Sequence, residues 1–396
     1  MKAYDVIAIG TGSVMNFMEN ILQMDPEVKV AVIDKDDPGG ICLTRGCIPT
    51  KILVYPAEVV RMLESARNVG IEADIKHIDF PGIMSRMASK VKNEVDEIRG
   101  ALSESPNIDY YHDVAKFTGP YQLKVGGGTI RSDQIFLCTG SRPLIPEIDG
   151  LAEVSYYTSD TILNLREVPA RIAILGGGYI AAEYGHFFSA VGSEVIILGR
   201  NPQFLPQEEP EVSQLARQEM ARHMRILTGH EVIGVASTAS GKKEILVKDR
   251  EAGKERKISS DEVLVAVGRA SNSDILHPER SGIETDEKGW IKVDEYLETS
   301  ARNIWALGDA TGNHLFKHVA NYESKVVFYN AFLKEKMKVN YHAVPHAVFT
   351  HPEIAAVGLR ERDAIEQYGE DDLLVGFRRY HDTAKGDAMG VKDYFV

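Results

Sequence analysis

Two stretches of the chain repeat one pattern. YDVIAIGTGSVMNFMENILQ runs into KVAVIDKD, and RIAILGGGYIAAEYGHFFSAVG runs into EVIILGRN. Each reads as a short apolar strand, a glycine turn, a helix and a second strand of parallel-sheet character. Gly10 and Asp34 lie 24 positions apart, as do Gly176 and Arg200. Equal spacing in unlike sequences predicts two βαβ dinucleotide-binding units in an α/β chain, one dinucleotide site per unit.

At 396 residues the chain is too long for one ordinary core and should divide into two or three domains. Its net charge of −13 argues against nucleic acid or an anionic membrane as partner, because phosphate binding needs a basic face. No apolar stretch reaches the roughly 18 residues that span a bilayer. Met1 to Gly10 lacks the basic and apolar segments of a secretory signal, so the expected location is cytoplasmic. Between the two units a helical stretch is expected over about 56–105, followed by strands with turns at Thr118-Gly119-Pro120 and Gly126-Gly127-Gly128. Beyond the second unit come a polar hairpin over 244–257 and strands at 262–267 and 303–307. From Lys338 an α+β region is expected, and GVKDYFV, where it stops, reads as mid-strand.

In the first unit Gly10 permits the tight turn, and Gly12 lets the backbone approach a pyrophosphate at the helix N-terminus. Asp34 can accept hydrogen bonds from a ribose. Met15 replaces the third glycine of the usual fingerprint, so helix and strand cannot pack as closely there.

The most specific signal is GGICLTRGCIPTK at 39–51, which holds two of only three cysteines, too few for a disulfide scaffold. Residues i and i+5 stand about 140° apart on a helix, so a Cys42–Cys47 bridge demands a distorted turn. A strained bridge is easily reduced, which suits catalysis. Pro49 fits the first turn of a following helix, whose dipole favours a thiolate at Cys47. Metal binding is the rival reading, but no second cysteine pair or spaced histidines accompany the motif, and no metal is expected. Cys138, in IFLCTG, reads as a buried small hydrophobe.

Together with ALGDA at 306–310, these motifs resemble the flavoprotein disulfide reductases, a family that includes dihydrolipoamide dehydrogenase, glutathione reductase, mercuric reductase and mycothione reductase. The resemblance implies an FAD domain at 1–152 and 269–337, an NAD(P) domain at 153–268, and an interface domain of a homodimer at 338–396, C-terminally incomplete. It implies that Cys42 exchanges with a small disulfide substrate, that Cys47 sits against the flavin as a thiolate, and that Lys51 approaches the flavin and pairs with Glu183. Asp309 is implied at the ribityl chain, Thr139, Gly140 and Ser141 where the chain leaves the FAD domain, and Ala115 beside the adenine. Gly176, Gly178 and Gly268 belong to the nicotinamide nucleotide's unit, with Tyr179 as an aromatic gate over the flavin. The family's C-terminal His-Glu acid–base pair, in an HxHPxxxE segment, does not occur here.

NAD-preferring units end the second strand on an acid, whereas Gly199 and Arg200 stand here, and an arginine can hold a 2′-phosphate. With Ala181 at the third glycine position, NADP(H) is expected over NAD(H). His318, His346 and His351 read as structural. The runs LVYPAEV, GGGYIAAEYGHFFSAVG, GRASNSDIL and LFKHVANYES are most similar to mycothione reductases, with dihydrolipoamide dehydrogenase as the alternative, and a flavin-binding protein without disulfide turnover as a reading of another class.

Overall fold

The computed structural model describes residues 1–333, 335–391 and 393–395. The chain forms two compact units. One comprises Met1–Pro49, Ala88–Arg142 and Arg269–Tyr341, and the other Thr50–Met87, Pro143–Gly268 and His342–Val396. This partition differs from the boundaries expected above: 50–87 goes with the second unit, as does 342–396.

The first unit is built on a parallel sheet in the order Ile304–Ala306, Ile135–Leu137, Val6–Ile9, Val30–Asp34, Ile108–His112. Its inner strands are apolar up to Asp34 at the end of Val30–Asp34, because both faces are covered. Ile7, Ile9, Ala31 and Ile33 face a core shared with Phe117, Leu123 and Ile130 of an antiparallel meander. Val6, Ala8, Val30 and Val32, pointing the other way along the pleat, meet Phe17, Met18, Val326 and Val327.

The second unit has the same design. Tyr157–Thr158, Glu262–Val265, Arg171–Leu175, Glu194–Leu198 and Arg225–Leu227 lie parallel in that order. A second antiparallel meander, His230–Ser237, Lys243–Asp249 and Glu255–Ser260, covers one face. Its Val235, Ile245, Val247 and Ile258 pack on Ala173, Leu175, Ile196 and Leu198.

The two glycine turns lead into different helices. After Gly178 an α-helix starts at once, Tyr179–Ala190, with Ala181 and Ala182 fully buried. After Gly12 the chain makes a 3-10 turn, Ser13–Phe17, before the α-helix Met18–Met24, with half-buried Met15 packed against the core. Alanine lets a helix seat on the sheet where methionine holds it off. The expected helical stretch is two helices, Cys47–Ser65 and Phe80–Glu104. Gly70 turns left-handed after the first, at φ 82°, and Asp79 opens the second by accepting from the Gly82 amide at 3.0 Å. The region after Lys338 supplies a hairpin, Pro345–Val348 with Ile354–Val357, and a helix, Glu361–Tyr368. Among the described residues no helix is long and apolar enough to cross a membrane.

Candidate active site

The two glycine turns share one steric device. Gly10 has φ 97° and Gly176 φ 127°, and a Cβ on either would lie 2.1 Å from a carbonyl oxygen of the neighbouring strand's end, Cys138 or Ala266. Only glycine lets the turn close this tightly. In the first unit the turn is pinned from below. Asp34 Oδ2 accepts from the Thr11 amide at 2.8 Å and hydroxyl at 2.5 Å, and the Thr11 hydroxyl accepts from the Gly39 amide at 2.9 Å. The carboxylate expected at a ribose thus also ties the glycine turn to the cysteine loop.

That loop lies directly on the turn. A Cβ on Gly40 would stand 2.9 Å from Gly12 Cα. Cys42 sits in a one-turn helix, Gly40–Thr44, and Cys47 is the first residue of Cys47–Ser65. The break at Gly46, where a Cβ would be 2.9 Å from Ile41 O, brings two cysteines five apart to one place. Both are free thiols and their sulfurs are hydrogen bonded. The hydrogen bond to Cys47, and then burial, holds the Cys42 thiol well above the ordinary thiol range, opposed by the Lys317 charge. Cys47 stands at the start of the helix Cys47–Ser65, an end whose dipole favours negative charge.

Behind the pair stand the residues expected at the FAD. A Cβ on Gly140, φ 65°, would be 3.1 Å from Ile41 Cδ1. The Thr139 hydroxyl is buried with no partner, and its carbonyl accepts from Asn272 at 2.9 Å. Ser141 donates to Asp309 at 2.5 Å and accepts from Arg269 Nε at 2.6 Å. Burial pushes the Asp309 carboxyl up, against the pull of Ser141, Arg269 and Lys317. Ala115 is buried in the core beside Phe117. A backbone turn with no room for side chains, an orphaned hydroxyl and a buried carboxyl fit a phosphate- and hydroxyl-rich dinucleotide.

In the second unit Lys51 Nζ donates to both Glu183 oxygens, at 2.8 and 3.0 Å, and lies 4.2 Å over the Phe349 ring. Glu183 also accepts from the Phe349 amide at 3.1 Å. Lys51 is one helical turn beyond Cys47 and so shares its face of the helix. Gly178 caps the helix that opens with Tyr179. Arg200 is exposed two residues beyond the strand Glu194–Leu198, and Gly268 takes φ 144°. Among the described residues no cluster of His, Cys, Asp or Glu could hold a metal.

A family model described as pyridine nucleotide-disulphide oxidoreductase matches residues 4–357. The chain belongs to that family. The family is FAD-dependent and works with a pyridine nucleotide. The chain is 35% identical over 400 residues to a mycothione reductase of Mycobacterium tuberculosis, covering 98% of this chain and 84% of that one. It is 33% identical to a mercuric reductase of Staphylococcus aureus over 92% of this chain and 66% of that one. The solved HOCl-induced flavoprotein disulfide reductase RclA of Escherichia coli superposes with a TM-score of 0.85 at 28% identity, covering 99% of this chain and 85% of that one.

Several residues of this disulphide oxidoreductase escaped the sequence reading. Lys317 heads the helix Lys317–Phe332, donates to Ser13 at 2.9 Å, and puts its charge on Cys42, Cys138 and Asp309 together. Its signal was its place beside His318 at a helix start. Arg269 and Asn272 lie in GRASNSDIL, legible only as a run. His346, read as structural, pairs at 2.9 Å with Glu208, which no motif marked.

Proposed function

We propose that the chain passes two electrons from NADPH, through FAD, to the Cys42–Cys47 pair and on to a small disulfide of the mycothione class. The observation that carries this reading is the hydrogen-bonded dithiol set on the glycine turn of the first unit. The same reading, after the family pattern, takes 1–152 and 269–337 as the FAD domain, 153–268 as the nicotinamide nucleotide domain, and 338–396 as the interface of a homodimer. FAD, when bound, supplies the two-electron carrier between nicotinamide and disulfide.

The chain's own residues do the rest. Gly10, Gly12, Asp34, Ala115, Thr139, Gly140, Ser141 and Asp309 hold the dinucleotide. Lys51, oriented by Glu183, presents a fixed cation where negative charge develops. Cys42, once its proton has left, attacks one sulfur of the substrate and expels the first thiolate. Cys47 then attacks the Cys42 sulfur of the mixed disulfide, expels the second thiolate, and closes the Cys42–Cys47 bond. Two thiols leave, carrying two electrons and two protons. Gly176, Gly178, Ala181 and Gly268 shape the nucleotide turn, and Arg200 selects a 2′-phosphate.

The test is turnover of flavin-loaded protein with NADPH against the disulfides of mycothiol, glutathione and lipoamide, with Cys42→Ser alongside. The mycothiol-type disulfide should be preferred, and Cys42→Ser should keep nucleotide-driven flavin reduction while losing disulfide reduction. Preference for lipoamide with NADH indicates the dihydrolipoamide dehydrogenase reading, and turnover that persists in Cys42→Ser removes Cys42 as the exchanging thiol.

A further inference from the structure

The chain leaving the strand Glu194–Leu198 is tied down on two sides. On one side the Gly176 amide donates to the Leu198 carbonyl at 2.9 Å and the Leu205 amide to the Gly177 carbonyl at 2.8 Å. The segment that carries Arg200 therefore closes on the glycine turn. On the other side the Gly199 amide donates to the Leu227 carbonyl at 2.9 Å and the His230 amide to the Gly199 carbonyl at 2.9 Å. The Gly229 amide donates to the Asn201 carbonyl at 2.7 Å. Arg250 joins this second set, although it lies 50 residues beyond Arg200, in the turn between the meander strands Lys243–Asp249 and Glu255–Ser260. Its amide donates to the Gly229 carbonyl at 2.9 Å, and its guanidinium Nη1 donates to the Arg200 carbonyl at 3.1 Å. A second guanidinium is thus held against the backbone of the first. Two acids stand near it. Asp249 is turned into its own loop, with Oδ1 accepting from the Glu251 and Ala252 amides at 3.0 and 2.9 Å and Oδ2 3.8 Å from His230 Nε2. Glu231 lies 3.9 Å from Arg250 Nε, past hydrogen-bond length, and both side chains are about half exposed. Such a pair is worth little.

We propose that Arg250 is a second specificity-determining residue, which binds the 2′-phosphate of the nicotinamide nucleotide together with Arg200. The inference rests on the reading of NADPH as electron donor and of Arg200 as the residue that selects it. A phosphate dianion offers three acceptor oxygens and about twice the charge of the distant Glu231 carboxylate, so it is the stronger partner for the guanidinium. The planar fork carries five N–H donors, and the hydrogen bond to the Arg200 carbonyl employs one of its nitrogens. That bond also fixes the fork in advance, which reduces the side-chain entropy lost when the phosphate arrives. The hairpin turn supplies the cation from outside the βαβ unit, which explains why the spacing of that unit gives no hint of it. A nucleotide with a bare 2′-hydroxyl brings no charge to this place, and Arg250 adds nothing to its binding.

The experiment is isothermal titration calorimetry of oxidised, flavin-loaded protein with NADP+, NAD+, adenosine 2′,5′-bisphosphate and 5′-AMP. Arg250→Ala should raise the Kd for NADP+ and for the bisphosphate by about threefold to tenfold, the worth of one charge-assisted contact at a wet surface. The Kd for NAD+ and for 5′-AMP should stay where it was. Arg200→Ala should show the same pattern with the larger loss. Arg250→Lys, which keeps the charge without the fork, should recover part of the affinity. The gap between wild type and Arg250→Ala should narrow as salt is added, because the contact is exposed. A turn residue that merely shapes the strand end would weaken NAD+ and NADP+ alike, since both nucleotides share everything but the phosphate. An unchanged Kd for NADP+ in Arg250→Ala, or an equal loss for NAD+, therefore overturns the proposal. If Arg200→Ala weakens NADP+ while Arg250→Ala does not, the NADPH reading stands and the role of Arg250 falls. If the wild type binds NAD+ as tightly as NADP+, the NADPH reading fails and the role of Arg250 goes with it. Should Arg250→Ala fail to fold, Arg250→Lys and Arg250→Gln carry the same comparison.

Discussion

Alanine at Gly10 and alanine at Gly176 pose one steric question in two units. At each site the new Cβ would sit 2.1 Å from a carbonyl oxygen of the backbone, with φ at 97° or 127°. An L-residue forced into positive φ costs about 1–2 kcal/mol, and overpacking against backbone that cannot rotate away adds about 1–3 kcal/mol. About 3 kcal/mol per variant is a large share of the 5–15 kcal/mol that holds an ordinary domain together. In a unit of this size that corresponds to a fall in Tm of roughly 6–12 °C. The consequences for ligands should diverge. Gly10→Ala should purify with little flavin, while its second unit still binds NADP+. Gly176→Ala should keep its flavin and lose NADP+ affinity. Flavin content by absorbance, NADP+ titration and differential scanning calorimetry measure all three. Were Gly10→Ala to retain full flavin, or Gly176→Ala to lose it, the assignment of one dinucleotide to each turn would be refuted.

Other outcomes follow from single contacts. Wild-type kcat/KM should favour NADPH over NADH at least tenfold, about 1.4 kcal/mol, and Arg200→Ala should erase most of that preference by raising KM for NADPH, as steady-state kinetics will show. Glu183→Ala strands Lys51, which is 35% exposed, so the loss should be about 1–2 kcal/mol in chemical denaturation, well short of a fully buried pair. Glu323, fully buried and accepting from the Gly308 amide and the Tyr341 hydroxyl at 2.5 Å each, is pushed up by burial from 4.5 to about 7. The folded state therefore binds this proton more tightly than the unfolded one. The stability it contributes is complete below about pH 4.5 and is lost as pH rises through about 7. Glu323→Gln should flatten that part of the stability–pH curve, measured by urea titration between pH 5 and 8.

The parallel sheets and the cysteine break were legible because their residues have one physical use. An unbroken apolar run suits only a strand covered on both faces, and Gly10 and Gly176 sit where a side chain cannot. The meander covering each sheet was visible as turns and a polar hairpin, but not as the same device used twice. Met15 announced a looser helix start, and the 3-10 turn Ser13–Phe17 is the form it took. The break in the stretch 56–105 was missed because Gly70 and Asp79 are ordinary until their backbone conformations are seen. Lys317, Glu208 and His346 lay beyond reach for another reason. A lysine, a glutamate and a histidine act through neighbours far away in sequence, such as Ser13 for Lys317 and His346 for Glu208, and no local spacing encodes that.

The central claim is that Cys42 and Cys47 exchange an electron pair with the bound flavin. It is tested most directly by adding one equivalent of NADPH to oxidised, flavin-loaded protein under nitrogen and counting new thiols as the spectrum is recorded. Two thiols should appear, mapping to Cys42 and Cys47, with a long-wavelength absorbance band that Cys47→Ser abolishes. Flavin bleaching with no new thiols at those two positions would contradict the account.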